Sequence, residues 1–503
     1  MGNYLLGFDV GTYESKGTLC DLSGKIVATA SAQHKIRSPQ PGYAEHDPIN
    51  DWWADFNSVL QALLAKSGIK TKDIAAIGIS TIMAGIVPVD ENCNPLRNAI
   101  LYGIDTRCVD QAQRLNQMVG EENQKRVGVC TVEEYGPKIL WIRENEPEVF
   151  AKAKKITIAS AFLTARLTGE YYIDRYSAED SAPMLDTKTL QWDDECCPYV
   201  CPKEMLPNIA ESTYSVIGTV TAKAAAETGL AKGTPVICGT TDAGAEAVSV
   251  GVTAPGDAML MYGSTAFYLA VTDQPRWNTG IWCGHYTINN LFSYAGGMAT
   301  TGSLTRWLRD NAAKDLIAVE EQGGLNAYEA LFAEAEQITP GSDGLVCLPY
   351  FQGERMPIQD PLAKGVYFGL NLRHTRGHLV RATLEGIGFG IEQNFALLRE
   401  KAVQIRDVTA VGGGAKSRLW LQIVSDICSL SQHVPEVTIG ASYGDALMAG
   451  LGIGVIDSPE AIKKLVRIRE TIEPDLERHL AYQPYRELFR SLYERNKDLM
   501  HMI

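Results

Sequence analysis

Tyr4-Leu-Leu-Gly-Phe-Asp9-Val-Gly11-Thr12-Tyr-Glu-Ser15-Lys16-Gly17 is an apolar run that ends in an aspartate, turns through Gly-Thr and returns through Thr18-Leu19-Cys20. It reads as a β-hairpin whose tip offers backbone N–H groups, hydroxyls and a lysine beside one carboxylate. Such a tip suits a phosphate that carries a divalent cation, the amides taking phosphate oxygens and the carboxylate the metal or its water. An ordinary edge hairpin with a solvated aspartate has the same pattern. The chain then repeats the device at Gly256-Asp-Ala-Met-Leu-Met-Tyr262-Gly263-Ser264-Thr265-Ala266-Phe-Tyr-Leu-Ala-Val271. Each copy stands near the start of one half, which suggests two similar lobes with a nucleotide clamped between them. The second copy has no aspartate where Asp9 stands in the first, so one hairpin would serve the metal and the other only phosphate oxygens.

Composition narrows the field. The chain of 503 residues is long enough for two large domains, and its 45% hydrophobic and 21% charged content is that of a globular protein with substantial cores. A net charge of −14 with no offsetting basic stripe argues against a nucleic-acid partner. No apolar stretch approaches the length of a bilayer span, and Met1-Gly-Asn-Tyr lacks the features of a cleavable signal, so the sequence points to the cytoplasm and to no membrane partner. The eleven cysteines are scattered and read mostly as reduced, buried small hydrophobes. The cluster Cys196-Cys197-Pro-Tyr-Val-Cys201 lacks a second pair of soft ligands at zinc-like spacing.

Strands are expected at 4–9, 15–21 and 26–34 as a meander, then an amphipathic helix at 47–66 and a short buried strand at 74–79. Helices are expected near 106–119, 138–146 and 159–168, the last stopped by Gly169. Thr253-Ala-Pro-Gly-Asp257 is the best boundary, dividing an N-terminal domain at 1–252 from a C-terminal domain at 253–503. The second half continues with helices near 298–310 and 375–400, a strand at 407–411, helices at 416–430 and 443–452, and a charged amphipathic tail at 482–500. The glycines Gly386, Gly388 and Gly390 lie inside a helical pattern and mark close helix packing.

Three segments could carry chemistry. Thr234-Pro-Val-Ile-Cys-Gly-Thr-Thr241-Asp242-Ala-Gly places an aspartate where a strand gives way to a helix. There a carboxylate can serve as general base for a hydroxyl, or simply N-cap its helix. Val408-Thr-Ala-Val411-Gly412-Gly413-Gly414-Ala415-Lys416-Ser417 is a strand, a triple-glycine turn and a helix start. Its backbone can approach a flat ligand or a phosphate, yet it is neither a P-loop nor a dinucleotide fingerprint. Ala295-Gly296-Gly297-Met-Ala-Thr300-Thr301-Gly302-Ser303 opens a helix, either against phosphate oxygens or as a structural cap.

Together these residues resemble the FGGY carbohydrate kinases of the actin-like ATPase superfamily along nearly the whole chain. Gly365-Val-Tyr367-Phe-Gly369-Leu370, seven residues, then His378-Leu379-Val-Arg-Ala382-Thr-Leu-Glu385 is similar to the family's C-terminal signature. His378 is therefore a signature position rather than a metal ligand. Lys138-Ile-Leu-Trp141-Ile-Arg-Glu-Asn145 fits half of the N-terminal signature, while Glu133 and Tyr135 depart from it. The resemblance implies an α/β fold of two ribonuclease-H-like domains with ATP and sugar in the intervening cleft. It implies that Asp9 is the metal-associated aspartate for Mg²⁺, and that Gly11, Thr12 and Lys16 form the first phosphate loop. Asp242 becomes the catalytic base, Gly263 and Ser264 the second phosphate loop, Gly302 a further ATP-contacting glycine, and Gly413, Gly414 and Ala415 the adenosine loop.

For the acceptor, Ser80-Thr-Ile-Met83-Ala84-Gly85 resembles the Met-His-Gly segment of xylulose kinases, with Ala84 replacing the histidine. Ile100-Leu-Tyr102-Gly103-Ile104-Asp105-Thr106-Arg107 resembles their Trp-Asn-Asp-Gly-Arg segment with one residue inserted, keeping Asp105 and Arg107. The Arg-Glu pair of a glycerol kinase is missing near position 83. Met83, Ala84, Asp105 and Asp242 are thus the expected sugar residues. One lost polar contact there is worth on the order of 10⁴-fold in discrimination, enough to retarget the enzyme. The expectation is γ-phosphoryl transfer from ATP to a hydroxyl of an open-chain sugar such as xylulose. The rivals are another acceptor (a polyol or hydroxy-ketone signal) and a non-catalytic nucleotide-binding protein of the same fold. A homodimer is left open.

Overall fold

The computed structural model describes residues 2–83, 85–275 and 280–503. The chain divides into two compact units, each with its own sheet. In the first, strands Tyr4–Val10, Glu14–Asp21 and Ile26–Gln33 form the expected antiparallel meander. Ile74–Thr81 then pairs parallel to Tyr4–Val10, and Pro235–Ile237 parallel to Ile74–Thr81. All of Ile74–Thr81 is buried, as a central parallel strand covered on both faces must be, which is why its sequence shows no polar alternation.

The second unit repeats this order. Asp257–Tyr262, Ala266–Thr272 and Phe292–Met298 form the meander, Asp407–Val411 runs parallel to Asp257–Tyr262, and Gln432–Pro435 parallel to Asp407–Val411. The duplication visible as two hairpins therefore extends to two whole ribonuclease-H-like sheets.

Local chemistry sets the helix ends. Asp47 accepts N–H groups from Ile49 and Asn50, so the expected helix at 47–66 opens with a wide turn at Pro48–Trp53 and continues as Ala54–Ser67. Gly68 ends it in the left-handed region. Inside helix Arg376–Glu400, a Cβ on Gly386 would lie 2.2 Å from the Cys347 carbonyl and one on Gly390 2.3 Å from Met298. Those glycines let the helix lie directly on strands. The tail helix spans Leu476–Met500, six residues longer at its start than its amphipathic pattern suggests.

The units are not contiguous pieces. The first comprises Met1–Thr253, Gly284–Asn290 and Ile439–Leu465; the second comprises Ala254–Cys283, Leu291–Thr438 and Val466–Ile503. Two segments that follow the 252/253 cut, Gly284–Asn290 and Ile439–Leu465, thus group with the first unit. Helix Ala441–Gly452, read from sequence as part of the second half, belongs to the first unit. The reason lies in three glycines at the contact: Gly7 and Gly78 on the strands accept the helix backbone, and Gly444 on the helix accepts that of Ala245. Among the described residues no helix is long and apolar enough to cross a membrane.

Candidate functional site

The first hairpin turns tightly, with Gly11 N–H donating to the Glu14 carbonyl at 3.0 Å. Its tip carbonyls are held from below by two histidines the sequence reading passed over. His34 Nε2 donates to the Gly11 carbonyl at 3.0 Å while Nδ1 faces Asp55 at 2.8 Å. His46 Nε2 donates to the Thr12 carbonyl at 3.1 Å, and Trp52 Nε1–H donates to His46 Nδ1 at 3.1 Å. With Nδ1 accepting, His46 is the neutral Nε2–H tautomer. Burial, and then the neighbouring His34, push it down to about 4. Burial alone would depress His34 as well, but the hydrogen bond and charge of Asp55 outweigh it and raise the imidazole above its ordinary value. Thr12 Oγ1 lies 3.1 Å from the Tyr102 hydroxyl, and half-exposed Lys16 sits 3.5 Å from Glu14.

Asp9 ends the first strand, buried, and accepts a hydrogen bond from Ser80 Oγ at 3.1 Å. Burial raises its carboxyl well above the usual range, with Asp242 and then Glu246 adding to the rise and Ser80 and Lys16 opposing it. Asp242 is the first residue of helix Asp242–Ser249, whose N-cap is Thr241. Asp242 Oδ1 accepts the N–H of Ala243 at 2.8 Å. Burial pushes Asp242 up to about 6, against that backbone bond. One turn on, Glu246 is pushed up to about 7 by burial and by Asp242. Helical i,i+4 spacing from Asp242 would have found Glu246 in the sequence. Asp445, also passed over, is fully buried on helix Ala441–Gly452 and meets Ser80 Oγ at 2.7 Å.

The expected sugar residues diverge. Met83 follows the central strand, partly buried against a core cluster. Ala84 lies outside the described residues. The Asp105 carboxylate is fully buried and already occupied by Arg107 Nε at 2.9 Å, Arg107 NH2 at 2.7 Å and the Ala44 N–H at 2.6 Å. Arg107 in turn reaches Glu45 and lies over the Tyr43 ring at 3.9 Å. Asp105 therefore braces its loop, with its oxygens directed at protein donors. The N-terminal signature is structural as well: Lys138 Nζ donates to the carbonyls of Val132 and Glu133 at 2.6 and 3.0 Å, and Glu133 accepts the Gly103 N–H at 2.9 Å.

In the second unit, Gly263 N–H donates to the Thr265 carbonyl at 3.0 Å. The start of helix Gly302–Ala312 is tied onto this tip: Gly302 N–H donates to the Gly263 carbonyl and Ser303 N–H to the Ser264 carbonyl, each at 3.0 Å. A Cβ on Gly302 would stand 2.4 Å from the Gly263 oxygen, so the contact requires glycine. Gly263, Ser264, Gly302, Gly413 and Gly414 all line one cavity of about 920 Å³, together with Tyr328, Phe332 and Lys416. A volume of that order suits a nucleotide-sized ligand. Ala415, between the lining residues Gly414 and Lys416, is itself buried and lies outside the lining. The Gly302 amide is spent on the hairpin, and Gly302 itself lines the cavity.

The model of the FGGY family of carbohydrate kinases, N-terminal domain, matches residues 4–249, and that of the C-terminal domain matches residues 258–453. The xylulose kinase of Escherichia coli (strain K12) is 30% identical over 508 residues, covering 98% of this chain and 99% of that protein. The gluconokinase of Bacillus subtilis (strain 168) is 28% identical over 480 residues, covering 93% of this chain and 91% of that protein. The crystal structure of xylulose kinase from Rhodospirillum rubrum matches with a TM-score of 0.88 and 31% identity, covering 99% and 100% of the two chains.

Proposed function

The chain belongs to the FGGY family of carbohydrate kinases, and from that premise we propose that it transfers the γ-phosphoryl group of ATP to a hydroxyl of an open-chain pentulose such as xylulose. The observation that carries this reading is Asp242. It is a carboxylate at the head of a helix, pushed up to about 6 and electrostatically linked to Asp9 in the same unit. A general base for a sugar hydroxyl works best when its pKa lies near the operating pH, so that it is ionised yet still holds the proton it takes. Asp242 accepts that proton as the hydroxyl oxygen attacks. The bond between the γ-phosphorus and its bridging oxygen then breaks, and ADP leaves with the electron pair.

Mg²⁺ fits the carboxylates present. Asp9, Asp242 and Glu246 carry mutually repelling charge, which Lys16 opposes. Among the described residues no three such side chains converge tightly enough to hold an ion alone, which suits a cation that keeps most of its shell as water and phosphate oxygens. Asp9 would hold it, and the ion would supply charge neutralisation at the phosphates. The 920 Å³ cavity of the second unit would take the adenosine, with Gly413 and Gly414 letting the backbone approach.

A gluconate acceptor is the second reading, because a gluconokinase is nearly as similar as the xylulose kinases. An ADP-release screen of pentuloses, hexuloses, polyols and aldonates decides between them. The proposal expects the highest kcat/KM with a pentulose. Preference for gluconate moves the acceptor, and no acceptor-dependent ADP release leaves a nucleotide-binding protein.

A further inference from the structure

Helix Ala441–Gly452 lies against three elements of the first unit at backbone contact. A Cβ on Gly7 would stand 1.8 Å from the Ser442 carbonyl oxygen, one on Gly78 2.2 Å from the Asp445 carbonyl oxygen, and one on Gly444 1.9 Å from the Ala245 carbonyl oxygen. Strand Tyr4–Val10, strand Ile74–Thr81 and helix Asp242–Ser249 are thus all docked on one buried helix. These are the elements that carry Asp9, Ser80 and Asp242. Such contacts leave no room for sliding, so whatever side chain this helix presents at position 445 is held in a fixed place against the sheet.

That side chain is a carboxylate. Its Oδ2 is 2.7 Å from Ser80 Oγ, and the same oxygen of Ser80 is 3.1 Å from Asp9 Oδ1. Ser80 is itself fixed by the sheet, being the register partner of Asp9 on the neighbouring parallel strand. A hydroxyl has one proton to give and lone pairs to accept with, so Ser80 donates to one of the two carboxyls and accepts from the other, and Asp9, Ser80 and Asp445 form a hydrogen-bonded chain that is continuous when one carboxyl carries a proton. A fully buried carboxylate is expensive: burial and the charge of Asp9 both raise Asp445 well above the usual range. An alanine or leucine would fill an apolar helix face at lower cost.

We propose that Asp445 is a positioning residue for the phosphoryl transfer, holding the Asp9 carboxylate in one rotamer through the Ser80 hydroxyl. Asp445 touches neither substrate nor nucleotide in this scheme; its effect passes through one hydrogen-bonded serine. The inference rests on the reading of Asp9 given above, and the controls separate the two.

The test compares Asp445→Ala, Asp445→Asn, Ser80→Ala and the S80A/D445A double variant, with Asp9→Asn as reference. kcat and KM for both substrates, melting temperature, and calorimetric ADP affinity with and without Mg²⁺ are read for each. Displacement of a reacting-site group by about 1 Å costs about 10²-fold. D445A and S80A should therefore each lower kcat about 10- to 100-fold, with the sugar KM within about twofold. The Mg²⁺-dependent gain in ADP affinity should fall in both, as in D9N. D445N should return kcat to within about threefold of the parent, because an amide still bonds the serine. The double variant should be no worse than either single, since the two act in series.

Wild-type kcat in D445A, or full additivity in the double variant, overturns the proposal. So does a D445N as slow as D445A at an equal melting temperature. If D445A does not fold, S80A decides the matter, and wild-type kcat there is fatal. An impaired D9N beside a normal D445A sinks this inference alone. A fully active D9N sinks the reading of Asp9 and this inference with it.

Discussion

The two hairpins are the same device built on the same sheet order, yet they are held in opposite ways. At the first, the tip carbonyls of Gly11 and Thr12 are gripped by His34 and His46, and a buried carboxylate ends the strand beneath them. At the second, the carbonyls of Gly263 and Ser264 take the first amides of helix Gly302–Ala312, and the position matching Asp9 carries no acid. One hairpin is supported by ionisable side chains and the other by backbone amides together with the hydroxyls of Thr301 and Ser303, none of which titrates. The first unit therefore concentrates carboxyl groups, with Asp9, Asp242, Glu246 and Asp445 all raised above the carboxylate range, while the second offers a glycine-lined cavity bordered by Arg306, Lys416 and Arg418 as well as Glu329 and Glu336. Proton transfer belongs where carboxylates are destabilised as anions, and nucleotide binding where the backbone can approach a flat ligand.

The hardest blow to this asymmetry is Asp242→Asn. It should lower kcat about 10²- to 10⁴-fold, because the base is gone while the cavity of the second unit is untouched. ADP affinity, read by calorimetry, should stay within about twofold. Stability should move the other way. A carboxyl raised in the folded state contributes stability at low pH that is lost as pH rises from 3.8 through about 6. At pH 8 the parent bears that loss and the amide does not. D242N should melt no lower than the parent at pH 8, and any advantage should shrink on acidification towards pH 4. Near-normal sugar phosphorylation by D242N would remove the residue from the mechanism.

The pH profile sharpens the same contrast within the first unit. The base must be ionised, so kcat/KM should fall about tenfold per pH unit below about 6, where Asp242 takes its proton. Glu246 titrates at about 7 and has no proton-transfer role in this scheme. Glu246→Gln should leave an acid limb near 6. A parent limb near 7 that disappears in E246Q would hand the base to Glu246.

How much of this could be read from the chain follows the reach of each interaction. Strands, hairpins and the place of Asp242 at the start of a helix were legible because period, turn residues and the strand-to-helix junction are local. The N-terminal signature was legible as a motif, but that Lys138 spends its ammonium on loop carbonyls was not. The C-terminal signature behaves alike: Glu385 takes Arg381, Tyr482 and the Gly341 N–H inside the second unit. Asp105 kept the spacing of a sugar residue, yet Arg107, two residues on, claims its carboxylate. His34, His46 and Asp445 left no signal because their roles exist only after folding. Asp445 reaches Ser80 across 365 residues, along a helix that returns to the first unit, and no spacing rule spans that.

On the backbone-held side the comparison can be broken with one methyl group. Gly302→Ala places a Cβ 2.4 Å from the Gly263 oxygen, too close for the helix start to stay seated on the hairpin. Backbone atoms on both sides must shift, and with them the wall of the cavity. The KM for ATP should rise about fivefold while the sugar KM and the acid limb near pH 6 stay put. An equal rise in both KM values would mean that the second hairpin is not a nucleotide element.

The smallest effect is expected at His46, and its shape matters more than its size. His46 is neutral across the working range, because burial holds it down to about 4. It contributes one neutral hydrogen bond to the Thr12 carbonyl while accepting one from Trp52. Glutamine at 46 can offer both an N–H and a carbonyl, whereas alanine leaves the Thr12 oxygen and the Trp52 N–H buried without partners. A lost bond of that kind costs about 1–3 kcal/mol when both groups stay buried. His46→Ala should lower the melting temperature by several degrees and raise the KM for ATP about threefold, with His46→Gln recovering most of both. Neither variant should alter the acid limb, because the group removed does not titrate there. His34 differs: its ring faces two acceptors, the Gly11 carbonyl and Asp55, and is raised towards the charged form. If His34→Gln moves the pH profile and His46→Gln does not, the first hairpin rests on one charged and one neutral support. Identical profiles in both would mean that these histidines hold the loop by shape alone.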